Sequence, residues 1–184
     1  MLKDQTVLYL GRFQPFHLGH LQVLLKLKKE YAKVVVGLCS CQKHHTKRNP
    51  FTFWERYEMI TRTLSNYYKD LGGFEIIPIP DIECPEKWSQ FVHAIFKEYD
   101  LVITNNPNTR KLFESIGDKV ESIPEQYCLV VDNLLVPHST LIRDSLAEGI
   151  DGGTWMLMVP RPVVLYLLDL KAEDRLRQIY KENP

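Results

Sequence analysis

Apolar residues recur along this chain in two alternating rhythms. Short unbroken apolar runs mark strands buried on both faces, the kind that parallel sheets use. Val7-Leu8-Tyr9-Leu10 is the first and Val34-Val35-Val36-Gly37-Leu38 the second. Gly72-Gly73 breaks the chain before a third run, 74–79, with Pro78 near its end. Leu101-Val102-Ile103-Thr104 predicts a fourth strand and Cys128-Leu129-Val130-Val131 a fifth. Between the runs, apolar positions return at the three- and four-residue intervals of a helix. One amphipathic stretch starts at Leu21. Thr52-Phe53-Trp54-Glu55 is a capping box, and it opens a helix with Tyr57, Ile60, Leu64 and Tyr68 on one face. Trp88, Phe91, Val92, Ile95, Phe96 and Tyr99 form another helical stripe. Further helices are expected over 107–116, from Ser139-Thr140 onward, and over 160–170, with a surface loop at 149–154.

Alternating β and α units argue for an α/β fold: an open parallel sheet of about five strands with helices on both faces. No linker, repeat or low-complexity segment interrupts the pattern. Residues 1–184 therefore read as a single domain, with about 155–184 as a C-terminal helical portion. A chain of 184 residues that is 45% hydrophobic can bury one substantial core. Lys and Arg number 23, as do Asp and Glu, so no global field draws the protein to nucleic acid. No apolar run approaches a membrane span and the N-terminus lacks a signal-peptide pattern, so neither a membrane nor secretion is expected. Cys39, Cys41, Cys84 and Cys128 form no disulfide framework, which suits a cytoplasmic protein. Cys39-x-Cys41 with His44 and His45 fits no common zinc spacing, and no protein-held metal is expected.

The chemistry concentrates between the first strand and the first helix, in Gly11-Arg12-Phe13-Gln14-Pro15-Phe16-His17-Leu18-Gly19-His20. In an open α/β sheet, ligands bind beyond the carboxyl ends of the strands. A helix N-terminus there offers N–H groups and partial positive charge to a phosphate. His17 and His20, three residues apart at that helix start, can both face one anion. The usual phosphate fingerprints are missing: there is no G-x-x-x-x-G-K-[ST] and no G-x-G-x-x-G. Two later segments bring cations and hydroxyls to strand ends: 40–52, with Ser40, Gln42, His45, Thr46, Arg48 and Asn49, and Ser139-Thr140-Leu141-Ile142-Arg143. Lys43 and Lys47 read as a solvated basic loop.

His17-x-Gly19-His20 is the HxGH signature of nucleotidylyltransferases. Together with GRFQPFH, S-x-Q-x-x-H-T-x-x-N-P-F-T-x-x-E-R, PIPDIECPEKW, TNNPNTRKLF and STLIR, it makes the chain resemble the archaeal-type nicotinamide-nucleotide adenylyltransferases, collinearly over 7–164. The resemblance implies a Rossmann-like sheet. It implies transfer of AMP from ATP to nicotinamide mononucleotide with Mg²⁺, giving NAD and pyrophosphate. A mononucleotide phosphate is already largely ionised at neutral pH, so such a reaction needs no general base and no protein nucleophile.

The same resemblance implies roles. His17, His20, Arg12 and Arg143 would act on the reacting phosphates. Gly11, Phe13, Gln14, Gly19, Arg48, Ser139 and Thr140 would bind ATP. Asp81, Trp88 and Asn106 would line the nicotinamide end, with Trp88 stacking on the ring. In such proteins a hydroxyl usually stands where this chain has His138, which leaves His138 or Ser139 to meet the phosphate tail. Trp88 can equally be core, since it heads an apolar stripe, and Asp81 after Pro80 can be a plain turn residue. Two other functions stay open: transfer to another phosphate acceptor such as nicotinate mononucleotide, and a nucleotide sensor without turnover. Assembly into a homo-oligomer is also left open.

Overall fold

The computed structural model describes residues 3–96, 98–123, 138–149 and 153–182. Five strands form one sheet: β1 (Lys3–Gly11), β2 (Tyr31–Cys39), β3 (Phe74–Ile79), β4 (Leu101–Ile103) and β5 (Val120–Glu121). Their order is β3-β2-β1-β4-β5, and every pairing is parallel. This order reverses direction beside β1, where a doubly wound sheet opens its ligand crevice. Among the described residues the fifth strand is β5, which the apolar runs do not announce. It is a two-residue strand that pairs with β4 through Val102↔Val120, while 128–131 lies outside the described residues. Pro78 sits on edge strand β3, where no second neighbour asks for its missing N–H.

The side-chain alternation of the central strands sorts the core into two layers. Val7, Tyr9, Val34, Val36, Leu38, Leu101 and Ile103 face one apolar cluster. It takes in α1 (Leu18–Glu30), α2 (Phe53–Leu64), α5 (Ser139–Glu148), α6 (Arg161–Asp169) and α7 (Ala172–Glu182). Leu8, Val35 and Val102 face the other, with α3 (Trp88–Ile95) and α4 (Pro107–Glu114). Helices thus cover both faces, as buried parallel strands require.

Helix limits differ from the periodicity at several points. α1 begins three residues before Leu21, because His17 caps it. α2 stops at Leu64, short of Tyr68. α3 stops at Ile95, so Phe96 and Tyr99 pack on the same cluster from extended chain. The charged C-terminal residues form α7, whose Ala172, Leu176 and Ile179 are buried. Trp155, in a 3-10 turn over Thr154–Leu157, is buried beside them and donates its indole N–H to Glu173 at 3.1 Å. Arg175 of α7 pairs with Glu55 of the α2 capping box at 2.8 Å. Among the described residues, no helix is long and apolar enough to cross a membrane.

If this C-terminal portion is one cooperative unit with the sheet, Leu176→Ala should destabilise the whole chain by about 2–5 kcal/mol. Urea unfolding followed by circular dichroism and by tryptophan fluorescence should then shift as one transition. Two separate transitions would make the C-terminal helices a unit of their own.

Candidate active site

A cleft of about 560 Å³ opens at the carboxyl ends of the strands. The end of β1 supplies Gly11 and Arg12 to it, and the chain after β2 supplies Ser40, Lys43 and Arg48. Asp81, Ile82 and Trp88 come from beyond β3, and Thr104, Asn106 and Thr109 from beyond β4. Of the sequence-predicted residues, the cleft therefore gathers Gly11, Arg12, Arg48, Asp81, Trp88 and Asn106.

The turn after β1 is built around Phe13. Gly11 remains in the strand, and the left-handed backbone falls on Phe13, at φ 50°. Gly11 is glycine because a Cβ there would lie 2.8 Å from the ring of Phe13. That ring is buried against Tyr9, Phe16 and His20. Gln14 is buried too, and its amide bridges both backbone groups of Phe51, giving to the carbonyl at 2.8 Å and accepting from the N–H at 2.9 Å. The side chains of Phe13 and Gln14 are thus occupied inside the protein, and only their backbone can meet a ligand.

His17 and His20 are helix caps as well as site candidates. Nδ1 of His17 accepts the N–H of His20 at 3.4 Å, and Nδ1 of His20 accepts the N–H of His17 at 3.3 Å. The rings stack with centroids 3.5 Å apart. With both Nδ1 atoms accepting, the neutral rings carry their protons on Nε2. Neither Nε2 has a protein partner among the described residues. Burial, with His138 nearby, pushes His17 down to about 3. Burial and the neighbouring His17 hold His20 well below the ordinary range. The pair is therefore neutral and presents two N–H donors.

The two helix starts are treated differently. The Leu18 N–H of α1 goes to Met158 O at 3.0 Å, and the His17 and His20 N–H groups go to the histidine cap. Of that first turn, only the Gly19 N–H is left without an acceptor among the described residues. At α5, His138 occupies the N-cap position and its side chain caps nothing. The N–H groups of Ser139, Thr140 and Leu141 find no acceptor among the described residues, and such a helix start suits an anion. Ser139 donates its hydroxyl to Pro15 O at 3.3 Å. Arg143 is buried and gives Nη1 to Gln14 O at 2.8 Å and Nη2 to Thr140 Oγ1 at 3.1 Å, while its Nε has no partner.

The cations lie close together. Burial weakens the hold of Arg12 on its proton, and Arg48 and then Arg143 add to this by repulsion. No carboxylate pairs with Arg12 or Arg48 among the described residues. Guanidiniums that feel one another's charge, two of them without a carboxylate partner among the described residues, are suited to a polyanion.

Asp81 is no free turn residue. Ser40 Oγ donates to its Oδ1 at 3.0 Å, Lys43 Nζ lies 2.7 Å from its Oδ2, and Gln42 brackets its backbone N–H and C=O. Lys43 thus belongs to the cleft, not to a solvated loop, whereas Lys47 lies over the ring of Tyr180. Trp88 packs at right angles to Phe113 in the core, its N–H binds Pro80 O at 2.9 Å, and it also lines the cleft. Asn106 caps α4, so its Oδ1 is taken by the N–H groups of Asn108 and Thr109.

The residue that sequence reading missed is Arg56, which is fully buried. Its guanidinium donates to the carbonyls of Arg12 (2.8 Å), Cys39 (2.9 Å), Ser40 (3.3 Å) and Thr52 (3.1 Å). The signal was available. Arg56, Met59, Ile60 and Thr63 follow the helical period, and all four are buried, so this arginine lies on the inward stripe of α2. Among the described residues no group of three or more His, Cys, Asp or Glu is placed to hold a metal ion.

Residues 8–145 match the cytidylyltransferase-like family. The chain is 36% identical over 177 residues to a nicotinamide-nucleotide adenylyltransferase of Thermoplasma volcanium, covering 96% of this chain and 93% of that one. It is 38% identical over 172 residues to one of Saccharolobus solfataricus, covering 94% and 95%. In three dimensions it resembles a bifunctional NMN adenylyltransferase/ADP ribose pyrophosphatase of Francisella tularensis, with TM-score 0.73 and 21% identity over 98% of this chain. This chain spans only 54% of that protein. A nicotinic acid mononucleotide adenylyltransferase of Plasmodium falciparum shares the fold with TM-score 0.61 and 13% identity, covering 94% and 98%.

The buried neutral histidines set a pH dependence. An unfolded histidine takes up a proton near pH 6.5, whereas folded His17 does so only near pH 3. Stability is therefore complete above about pH 6.5 and falls as pH drops from there toward 3. From pH 7 to pH 5 the loss should be about 2 kcal/mol for His17, with His20 adding in the same direction. In His17→Asn, which can still cap but does not titrate, urea midpoints should fall less over that interval. Equal slopes for the two proteins would overturn the assignment.

Proposed function

The chain belongs to the cytidylyltransferase-like family, among its nicotinamide-nucleotide adenylyltransferases, and we propose that it joins ATP and nicotinamide mononucleotide by direct in-line transfer. The reaction yields NAD and pyrophosphate. An oxygen of the mononucleotide 5′-phosphate attacks the α-phosphorus of ATP. The bond from that phosphorus to the bridging oxygen breaks, and pyrophosphate leaves with the electron pair. The attacking phosphate is already anionic, so no base and no covalent enzyme intermediate is needed.

The observation that supports the reading is a cleft at the strand ends that gathers Arg12 and Arg48 with Asp81 and Trp88, together with a pair of neutral histidines that cap α1 a few residues after Arg12. In our reading the Nε2 protons of His17 and His20 donate to the α-phosphate region, where charge builds in the transition state. Neutral donors suit this role: they stabilise charge without having to shed a proton at neutral pH. Arg12 bridges the two substrates, and Arg48 holds phosphate from the second loop. Gly19 N–H, Ser139, Thr140, Arg143 and the open start of α5 take the tail that becomes pyrophosphate, with exposed His138 at its edge. Asp81, Trp88 and Asn106 receive the nicotinamide end.

A divalent cation, Mg²⁺ in this reading, fits as an ion carried on the ATP phosphates. The described residues offer no three-ligand cage, and Mg²⁺ commonly binds through substrate phosphates and water. When bound it neutralises part of the polyphosphate charge. We assign the reaction to the cytoplasm, where thiols such as Cys39, Cys41 and Cys84 stay reduced.

A coupled pyrophosphate-release assay with ATP and nicotinamide mononucleotide tests the reading. A nucleotide sensor would bind ATP and release none. Isolation of an adenylylated protein from ATP alone would refute direct transfer. His20→Ala should lower kcat about 10²–10³-fold, with a smaller change in KM, since the other cations still bind the ground state. A raised KM at near-normal kcat would make His20 a binding residue only.

A further inference from the structure

The acceptor end of the cleft carries a charge arrangement that the adenylyltransferase reading does not require. Trp88 fixes where that end lies. Its indole N–H is tied to Pro80 O at 2.9 Å, so the ring that would meet the pyridine stands beside the next residue, Asp81. A lone carboxylate there would favour the pyridinium ring and the NH₂ group of a carboxamide. It would repel an acceptor whose ring bears a carboxylate instead. Asp81 is not alone. Lys43 Nζ stands 2.7 Å from its Oδ2 and lines the same cleft.

The two partners are held unequally. Asp81 is fixed by Ser40 through its carboxylate and by Gln42 through both backbone groups. Lys43 has no other hydrogen bond from its ammonium, and its side chain is 54% exposed. A lysine on a flexible stem can stay on Asp81 when the incoming group is neutral. It can turn to that group when it is an anion. In either position its charge offsets one negative charge at this end of the cleft.

We propose that Lys43 is a specificity-determining residue, and that by discharging Asp81 it lets the site accept pyridine-3-carboxylate mononucleotide as well as the 3-carboxamide. The inference rests on the acceptor placement given under the proposed function. The two substrates differ only in a neutral amide against an anion at one ring position, so the local charge is what discriminates them.

The test measures kcat/KM for each mononucleotide with ATP in excess, and the affinity of each by calorimetry, at fixed moderate salt because the pair is half exposed. Wild type should use the two acceptors within about tenfold of one another. Lys43→Met should shift the ratio about tenfold toward the carboxamide in both turnover and binding, the scale of one charge-assisted contact. Lys43→Arg should restore most of it. An unchanged ratio in Lys43→Met, a shift toward the carboxylate, or a wild type that turns over only the carboxamide overturns the inference and leaves the adenylyltransferase reading intact. A wild type that adenylylates neither mononucleotide overturns both.

Discussion

A buried positive charge without a carboxylate governs the architecture of this site. Arg56 is taken fully out of water and neutralised only by carbonyl dipoles. Burying an ion in this way is costly unless its donors are all met by well-placed acceptors. The acceptors come from three segments that otherwise have no reason to meet: the turn after β1, the end of β2, and the cap of α2. Moving any one of them leaves part of the guanidinium unpaired. Arg12, whose carbonyl is one acceptor, and Ser40, whose carbonyl is another and whose hydroxyl holds Asp81, are positioned by the same bonds.

A second set of contacts extends that order outward. Gln14 ties the first turn to Phe51. Arg143 ties α5 to Gln14 O, and Met158 O ties the C-terminal segment to the start of α1. Each contact joins backbone to a side chain or backbone from a distant part of the chain. The loops at the strand ends therefore form a cross-linked layer, the kind of support that keeps donors aimed where charge develops.

The strands and most helices were legible because buried parallel strands and amphipathic helices leave strong periodic signals. The five-strand order was not, since a two-residue strand such as β5 carries no pattern, and its pairing is decided by Lys119 O and Val102 meeting across the sheet. Helix ends were misjudged where an apolar stripe continues into extended chain, as at Phe96 and Tyr99: those rings reach the core without helical backbone. In the site, residues with a distinctive motif could be placed from sequence. Arg56 falls on the inward stripe of α2, which the helical period carries, but the period does not say which carbonyls it meets. A lysine in a polar loop ordinarily reads as a solvent contact, and only the tertiary arrangement sets Lys43 against Asp81. Gly11 serves packing against Phe13, and the left-handed backbone of the turn lies at Phe13 itself, which no glycine in the sequence marks.

The two helix starts show how one structural device can be divided between two tasks. At α1 the histidines close the first turn with Nδ1 and leave Nε2 without a partner among the described residues, so the residues that cap the helix are also oriented by the cap. Their burial removes the charge they would otherwise carry at mildly acidic pH. At α5 the opposite choice is made. A serine or threonine at the N-cap position can fold back onto the helix N–H groups and compete with a ligand for them. His138 does not, and Ser139 turns its hydroxyl to Pro15 O instead. The first N–H groups of α5 thereby have no acceptor among the described residues. A histidine at that position thus leaves the positive end of α5 uncapped by its side chain, with the buried guanidinium of Arg143 one turn further along the same helix.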